Sequence, residues 1–277
     1  MCTECGCGLP GDKPFKILGH SHDHHHGHGH HHHDHGHAHD HVHDHPHISD
    51  EPKRHVEIHR SILDKNNRQA ERNRGFFHAR GLLVLNILSS PGSGKTTLIR
   101  ETIRALGERL KTAVIVGDLE TDNDARRLRE TSAEVVQVTT GTVCHLEAEM
   151  VARAVKQLHL NDVQLLIVEN VGNLVCPASY DLGEDLRVVL LSVTEGEDKP
   201  LKYPPMFQSA AATIVSKIDL AQVCEYDREI ARTNLTKLAP KAPIFELSAK
   251  TSQGMEDWCS FLIAEQNKIR SRDPLVD

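Results

Sequence analysis

The residues with the clearest chemical capacity are thiols near the amino-terminal end of the chain. Cys2, Cys5 and Cys7 lie within six residues, and the glycines at positions 6 and 8 allow tight turns around them. Thiolates at these spacings can surround one borderline metal ion. The alternative is a group of thiols without a ligand. Seven cysteines in a chain that starts without signal-peptide features favour metal binding over a disulfide framework.

A histidine-rich tract follows, from His20 to His47. It contains 17 of the 22 histidines of the chain, interleaved with Asp, Gly, Ala and Val, which argues against a purification tag. Neutral imidazole suits Ni²⁺, Zn²⁺ and Cu²⁺ better than Mg²⁺, so we expect several ions to bind without a fixed geometry. Protons should displace them below the ordinary imidazole pKa of ~6.5. The predicted ligands include His24, His26, His31 and His33.

A phosphate-binding loop is predicted at "SSPGSGKTT", residues 89–97. It follows an apolar run and leads directly into a helical segment, which is the context that such a loop requires. Lys95 is predicted to contact the β- and γ-phosphates, and the Thr96 hydroxyl to bind Mg²⁺. Ser89 departs from the pattern G-x-x-x-x-G-K-S/T, which has Gly at this position. The predicted nucleotide-contacting residues are Gly92, Ser93, Gly94, Lys95, Thr96 and Thr97.

Acidic residues end two of the predicted strands. Glu169 begins an acid-x-x-Gly sequence in which the acid would approach Mg²⁺ and the N–H of Gly172 would meet the γ-phosphate. Asp118 is a second candidate for Mg²⁺ or for positioning water. Together with Lys95, these two acids are the predicted catalytic residues. Each acid could instead be only a helix cap, and the sequence leaves this open.

Two further loops predict which base is bound. "SKID", residues 216–219, resembles the guanine-reading NKxD motif of GTPases, with Ser216 in place of Asn. The Asp219 carboxylate would accept hydrogen bonds from the two N–H groups on the edge of guanine, and adenine has no matching pair. We expect Ser216 to lower the affinity without changing the base, because Asp219 and the stem of Lys217 remain. A last base-contacting loop is predicted at Ser248, Ala249 and Lys250.

Another set of metal ligands is predicted inside the folded part of the chain. Cys144 and His145 are adjacent at the start of a predicted helix, and Cys176 lies shortly after the acid-x-x-Gly sequence. If that sequence moves with the γ-phosphate, Cys176 moves with it, and a metal held by the three residues responds to the nucleotide. Three ligands are few for a closed tetrahedral site, which favours sharing across a dimer. The alternative is that the cysteines are small buried hydrophobes, as we expect for Cys224 and Cys259.

The elements that must position these residues alternate along the chain. Seven apolar runs are predicted strands, at residues 82–88, 112–118, 134–138, 163–170, 187–193, 212–217 and 242–247. Helices are predicted at residues 96–110, 145–158, 226–238 and 255–269. This alternation predicts an α/β fold of the three-layer P-loop NTPase type, with a mostly parallel sheet covered on both faces. Ligands bind such sheets at the carboxyl ends of the strands.

Composition divides the chain into four parts. Residues 1–19 hold the cysteine cluster, and residues 20–54 hold the histidine tract and a polar linker. We expect both parts to be disordered, because they cannot bury a core. Residues 55–80 are predicted to form an amphipathic helix, although their apolar positions are unevenly spaced. Residues 81–277 have the length of one domain and are predicted to form the GTPase domain.

Charge and hydropathy argue against two classes of partner. The chain has 32 Lys+Arg, 39 Asp+Glu and a formal charge of −7, without a basic block, so nucleic acid is not an expected partner. It also has no apolar run of about 18 residues and no signal peptide. We therefore expect no membrane partner, and we predict a cytoplasmic protein.

Five stretches together resemble the HypB family, the GTPases that deliver nickel during NiFe-hydrogenase maturation. They are "MCTECGCG", "LDKNNRQAERNR", "SSPGSGKTT", "ENVGNLVCPASYDLGE" and "LSVTEGEDKPLKYP". The resemblance covers nearly the whole chain and implies a homodimer with GTP at the interface and nickel at the terminal cysteines. It also implies a Ni²⁺ or Zn²⁺ site at Cys144, His145 and Cys176. The implied partners are a HypA-type nickel metallochaperone and the NiFe-hydrogenase large-subunit precursor.

The resemblance implies a regulated transfer of metal. GTP–Mg²⁺ would close the dimer and order the loops around Asp118 and Glu169, and hydrolysis would release them and change the metal affinity. Lys199 or Lys202 is the candidate for a lysine that reaches across the interface. Because this chain has both terminal cysteines and a histidine tract, the sequence leaves open which of the two supplies hydrogenase. The rival functions are a urease-type nickel-insertion GTPase and a nickel-storage or detoxification protein.

Overall fold

The computed structural model describes residues 51–271 of the chain. The strands are β1 Leu83–Leu88, β2 Thr112–Asp118, β3 Glu134–Thr139, β4 Leu165–Glu169, β5 Leu186–Ser192, β6 Ala212–Ser216 and β7 Ile244–Leu247. The helices are α1 Glu51–His78, α2 Lys95–Leu106, α3 Asn123–Arg129, α4 Ala148–Val155, α5 Lys199–Lys202, α6 Pro204–Gln208, α7 Arg228–Leu238 and α8 Met255–Arg270. The expected ligands outside the described residues are Cys2, Cys5, Cys7, His24, His26, His31 and His33.

The seven strands form one parallel sheet in the order β3-β2-β4-β1-β5-β6-β7. In this register Glu169 pairs with Ile87 and Val116, and Ser216 pairs with Leu247. The carboxyl ends of these strands therefore meet at one edge of the sheet. The loops that follow β1, β4, β6 and β7 are consequently neighbours, as the predicted nucleotide site requires.

Helices cover both faces of the sheet, because successive side chains of each strand point to opposite sides. Leu83, Leu85 and Ile87 of β1 belong to a core that includes residues of α2, α3 and α8. Leu82 and Val84 pack on the other side with residues of α1 and α4. A third cluster joins β5 and β6 to α6 and α7. The three-layer α/β fold with a parallel sheet is confirmed. None of the described helices combines the length and the hydropathy that a membrane span requires.

Helix α1 buries a face that is half polar. Its buried positions are Asn66, Ala70, Asn73 and Phe77, at helical spacings of four, three and four residues. The Asn66 amide donates to the Asp181 carbonyl (2.7 Å) and its oxygen accepts from the N–H of Ala148 (2.9 Å). These contacts attach α1 to the first residue of α4 and to the segment that precedes β5.

Asn73 makes the corresponding contacts about two helical turns further on, and its removal should destabilise the fold. Its amide donates to the carbonyls of Ala148 (2.8 Å) and Leu182 (3.0 Å), both buried. Asn73→Ala leaves both carbonyls without this donor, so we expect the free energy of unfolding in urea to fall by about 2–4 kcal/mol. Arg72→Ala, at the exposed neighbouring position, should change it by less than about 0.5 kcal/mol. Equal effects of the two substitutions would contradict this assignment.

Candidate nucleotide and metal site

The predicted phosphate loop joins β1 to α2. Gly92 and Gly94 have φ angles of 75° and 97°, in the left-handed region that favours glycine. Lys95 is buried at the first position of α2, and its ammonium donates to the Ser89 hydroxyl (3.0 Å). Burial lowers the pKa of Lys95, although the nearby Glu169 carboxylate acts in the opposite direction. The loop therefore holds a desolvated cation at the amino-terminal end of a helix, where anions bind.

Ser89 has a structural role at the position where glycine is usual. Its side chain is fully buried, and its hydroxyl donates to the Ser90 carbonyl (2.6 Å) while it accepts from Lys95. Ser89 is not among the described residues with positive φ, so the backbone does not require glycine here. Serine at this position therefore provides a hydrogen-bond acceptor for the Lys95 ammonium.

Thr96 and Glu169 form a pair of oxygen donors next to this loop. The Thr96 hydroxyl donates to Glu169 Oε1 at 2.7 Å, and the second carboxylate oxygen, Oε2, has no hydrogen-bond partner among the described residues. Burial raises the pKa of Glu169 to about 7. A buried carboxylate with an unused oxygen beside a hydroxyl suits a hard cation, so the donor set fits Mg²⁺.

Asp118, at the end of β2, is bonded within its own loop. Its carboxylate accepts from the Thr121 hydroxyl (3.0 Å) and from the N–H of Glu120 (3.4 Å). Its charge nevertheless acts on Lys95, as does the charge of Asp124, which the sequence analysis did not identify. Asp118 thus stays a candidate for positioning water, and Asp124 adds negative potential on the same side.

Glu195 is a second residue that the sequence analysis missed. It follows β5, and its Oε1 accepts from the hydroxyl of Ser93 in the phosphate loop at 2.5 Å. The Lys199 ammonium lies 3.3 Å from the other oxygen of Glu195, whereas Lys202 pairs with Asp198 at the surface. Of the two candidate lysines, Lys199 is therefore the one connected to the phosphate loop.

The predicted base-reading residues are placed beside the same loop. The Ser216 hydroxyl donates to the Ser93 carbonyl (2.8 Å), so the serine still joins β6 to the phosphate loop. Lys217 has a left-handed φ of 60°, and its ammonium donates to the Gly92 carbonyl (2.7 Å). Asp219 is exposed, and Ser248 is buried at the end of β7. Thr97, near the start of α2, is half-buried. After Ser248, Ala249 is half-buried and Lys250 is exposed.

The loop before α4 and the turn after β4 bring Cys144, His145 and Cys176 together. One ligand atom from each lies within 4.8 Å of the other two. Two ligands of one zinc-like ion can be separated by at most about twice the bond length, ~4.6 Å for sulfur, so small side-chain rotations would complete the group. The three residues therefore form a candidate metal centre.

The environment of the His145 imidazole is suited to metal binding. His145 is 4% exposed, and neither ring nitrogen has a hydrogen-bond partner within the part of the chain that the structure describes. Glu147 Oε1 lies 3.9 Å from Nε2, and the Tyr180 ring lies 3.9 Å from the imidazole, centroid to centroid. Burial lowers the pKa of His145 to about 4, so the ring is neutral near pH 7. Buried polar nitrogens without partners are costly, and a metal ion would satisfy one of them.

The start of α4 corrects one expectation from the sequence. Cys144 and His145 were expected at the start of a helix, but they lie in the loop before α4, which begins at Ala148. The N–H of Leu146 donates to the side chain of Asn170 (3.1 Å), and the N–H of Ala148 donates to Asn66. These long-range contacts hold residues 144–147 in a loop, so the helix begins only at Ala148.

The segment from Glu169 to Cys176 connects the two sites. A Cβ atom on Gly172 would lie 2.9 Å from Cα of Pro91 in the phosphate loop, which is closer than real contacts allow. Gly172 thus packs directly on that loop. Four residues later, Cys176 begins a 3-10 turn that ends at Ser179. A single short segment therefore contacts both the phosphate loop and the metal ligands.

Comparison with known proteins is consistent with this geometry. A family model described as the CobW/HypB/UreG nucleotide-binding domain matches residues 83–246. Hydrogenase maturation factor HypB of Escherichia coli K12 is 50% identical over 210 residues, which are 76% of this chain and 72% of that protein. The hydrogenase/urease maturation factor HypB of Helicobacter pylori 26695 is 44% identical over 220 residues, 78% of this chain and 90% of that protein.

Two solved structures share the fold over most of their length. The crystal structure of HypB from Helicobacter pylori in complex with nickel matches with a TM-score of 0.71 and 44% identity, over 74% of this chain and 96% of that chain. HypB from Archaeoglobus fulgidus matches with a TM-score of 0.69 and 38% identity, over 73% of this chain and 99% of that chain. Sequence and fold therefore agree on the same relatives.

Proposed function

This chain belongs to the HypB family of hydrogenase maturation factors, and from that premise we propose that it hydrolyses GTP and delivers nickel for NiFe-hydrogenase maturation. Metal transfer is coupled to GTP-dependent homodimerisation in this proposal. The partners are a HypA-type nickel metallochaperone and the hydrogenase large-subunit precursor. The observation that carries the proposal is the segment from Glu169 to Cys176, which contacts the phosphate loop at one end and supplies a metal ligand at the other.

The phosphate loop and its neighbours bind and orient GTP. Lys95 transfers its hydrogen bond from Ser89 to the phosphates, and the N–H of Gly172 contacts the γ-phosphate. Asp118 orients the attacking water. Mg²⁺, held by Thr96 and Glu169, would neutralise charge on the phosphate oxygens. The proposal assigns no residue as a strong general base, which suits a slow switch.

Nickel is the cargo in this proposal. Cys144, His145 and Cys176 bind Ni²⁺ or Zn²⁺, and the buried, neutral imidazole, whose nitrogens accept and donate no hydrogen bond among the described residues, supports this role. Three protein ligands leave room for a further ligand, which a second copy of the chain can provide. The terminal cysteines and the histidine tract also bind nickel, either as a source for this site or as a separate store.

The coupling can be tested in the full-length protein, because coupling between two binding sites is reciprocal. We expect Ni²⁺ to change the affinity for a fluorescent, non-hydrolysable GTP analogue by about 5–150-fold, the usual range of such coupling. In Cys176→Ser the change should fall below about 2-fold. Cys224, which the sequence analysis expected to be buried, is exposed, so Cys224→Ser is the matched control and should keep the wild-type response.

The amino-terminal ligands are the same in all three proteins, so differences between them report on the internal site. An identical Ni²⁺ effect in the wild type and in Cys176→Ser would contradict the coupling. Nickel would then be carried by the amino-terminal ligands, and GTP would control only dimerisation or partner docking.

Nickel storage is a second candidate function, favoured by the 17 histidines between His20 and His47. Deleting residues 20–47 separates the two functions in cells. If the protein stores nickel, the deletion lowers metal tolerance and leaves hydrogenase activity intact. If it delivers nickel through the internal site, Cys176→Ser lowers hydrogenase activity and leaves tolerance intact.

A further inference from the structure

Four polar side chains, Asn86, Asn170, Glu184 and Arg187, form a continuous hydrogen-bonded chain next to the site. We propose that this polar chain positions the metal-ligand loops relative to the nucleotide loop, with Asn170 as the positioning residue at its centre. The inference rests on the proposed function, because it names the contacts through which the nucleotide and metal sites of the same protein are coupled.

Asn170 is directly attached to the nucleotide side. It follows Glu169 in the chain, is 1% exposed, and its backbone N–H donates to the carbonyl of Ile87 in β1 (3.1 Å). Its side-chain oxygen accepts from the N–H of Leu146 (3.1 Å) and from the N–H of Val171 (2.9 Å). Because Leu146 is adjacent to His145, a displacement of Asn170 must either move the His145 loop or break a buried hydrogen bond.

The other end of the polar chain reaches the segment after Cys176. The Asn170 amide donates to Asn86 (3.2 Å), and the Asn86 amide donates to Glu184 (3.1 Å). Glu184 accepts from the Arg187 guanidinium at 2.9 and 3.0 Å. Arg187 in turn donates to the backbone carbonyls of Ala178 and Tyr180, each at 2.9 Å. Tyr180 packs its ring on His145, so both ligand loops are attached to one network.

The network is suited to transmit a displacement because its members are buried or nearly so and each is hydrogen-bonded to the next. Asn86 is fully buried and Glu184 nearly so. Burial alone would raise the pKa of Glu184, but Arg187 and the Leu182 N–H hold it below the ordinary value, so the carboxylate is ionised. Inside a protein, a member of such a network cannot shift alone without leaving a partner unsatisfied. Neighbouring members therefore move together.

A shorter connection competes with the polar chain. The Asn173 amide donates to the carbonyl of Cys144 at 3.4 Å, at the limit for a hydrogen bond, and Asn173 is partly exposed. Its oxygen accepts from the N–H of Val175 (2.8 Å). This contact joins the Gly172 region to Cys144 without involving Asn170, so the test must distinguish the two routes.

The experiment measures the coupling factor, which is the ratio of affinities for a fluorescent, non-hydrolysable GTP analogue with and without Ni²⁺, in the full-length protein. We expect a factor of about 5–150 in the wild type and below about 2 in Asn170→Ala and in Asn86→Leu. Occupancy of the internal site is followed by the part of the Ni²⁺–thiolate absorption that Cys176→Ser removes. This absorption should persist in both variants, which separates lost coupling from lost binding.

Two further variants make the result specific. Gln266→Leu removes a buried amide that donates to the carbonyls of Gly81 and Gln164 at the amino ends of the strands, and its coupling factor should equal that of the wild type. The double variant Asn86→Leu/Asn170→Ala should lose no more coupling than either single variant, since both interrupt the same route.

Three outcomes would overturn the inference while leaving the proposed coupling in place. In the first, Asn170→Ala and Asn86→Leu keep the wild-type coupling factor. In the second, only Asn173→Ala removes it, which assigns the coupling to the shorter contact. In the third, both variants lose the Cys176-dependent absorption, so that the amides merely hold the metal site together. A wild type whose response is unaffected by Cys176→Ser would instead remove the proposed coupling itself, and this inference with it.

Discussion

Replacing Asp219 by Asn should shift the nucleotide preference from GTP to xanthosine triphosphate. Guanine presents two N–H donors on one edge, and a carboxylate accepts both. Xanthine has a carbonyl in place of the exocyclic amine, so it offers one donor and one acceptor. The Asn side chain matches that pattern and places its own N–H₂ against the amine of guanine. The substitution therefore reverses the preference by changing one acceptor into a donor.

Asp219 lies in a loop next to the phosphate loop, as a contact between its side chain and the base requires. Lys217, two residues earlier, donates to the carbonyl of Gly92 in the phosphate loop. Ser216 pairs with Leu247, the residue before the predicted loop Ser248–Lys250. The two loops predicted to read the base therefore lie side by side, and Lys217 attaches the first of them to the phosphate loop.

The expected effect of Asp219→Asn is large. Hydrogen bonds to a charged group contribute about 1.5–3 kcal/mol each, so GTP affinity should fall by about 100-fold or more, with a comparable gain for xanthosine triphosphate. Competition titrations with both nucleotides measure the switch. Asp227→Asn is the matched control, because Asp227 caps α7 through the N–H of Ile230 (2.9 Å) and Asn caps as well. Weaker GTP binding without a gain for xanthosine triphosphate would refute the assigned contact.

The sheet and the phosphate loop were predictable because their signals are local. Strands buried on both faces are continuous apolar runs, and the seven runs correspond to the seven strands. The glycines at 92 and 94, followed by Lys95, specify a loop by backbone conformation and by proximity to a helix start. Neither feature depends on a residue that is distant in the chain.

Helix α1 shows what periodicity cannot reveal. Its buried face alternates apolar residues with Asn66 and Asn73, whose amides are satisfied by the backbone of α4 and by the 181–182 segment. A polar residue that is buried because of a partner more than 70 positions away gives no apolar stripe. Helix α3 is missed for a related reason, since only Ala125 and Leu128 are buried among charged neighbours.

The residues of the site that the sequence did not predict also depend on partners that are distant in the chain. Glu195 contacts Ser93 across 102 positions, and Asn86 contacts Asn170 across 84 positions. These contacts form because the parallel strands bring distant loops to one edge of the sheet. The neighbouring residues in the chain give no signal of them. The sequence could group Cys144, His145 and Cys176 because Cys144 and His145 are adjacent and Cys176 closely follows the acid-x-x-Gly sequence. The resemblance to a known family implied the same group.

Gly172→Ala should weaken binding of a GTP analogue much more than binding of GDP. The new Cβ atom would meet backbone atoms of Pro91 at 2.9 and 3.0 Å, so the segment must move away from the phosphate loop. The N–H of residue 172 then loses its reach to the γ-phosphate, whereas GDP, which lacks that group, loses little. We expect affinity for a GTP analogue to fall by about 100-fold, the effect of one lost donor to a charged oxygen combined with steric displacement.

Hydrolysis should fall together with binding, because a backbone donor aimed at developing charge contributes about 10²–10³ in rate. Single-turnover hydrolysis and separate titrations with GDP and the GTP analogue measure the two effects. Gly75→Ala is the matched control, since a Cβ atom there meets nothing within 4 Å on α1 and should only stabilise the helix slightly. Equal losses for GDP and the GTP analogue would mean that the phosphate loop itself is distorted. Unchanged GTP binding would mean that the segment from Glu169 to Cys176 does not contact the γ-phosphate, and the link from nucleotide to metal would then have to begin elsewhere.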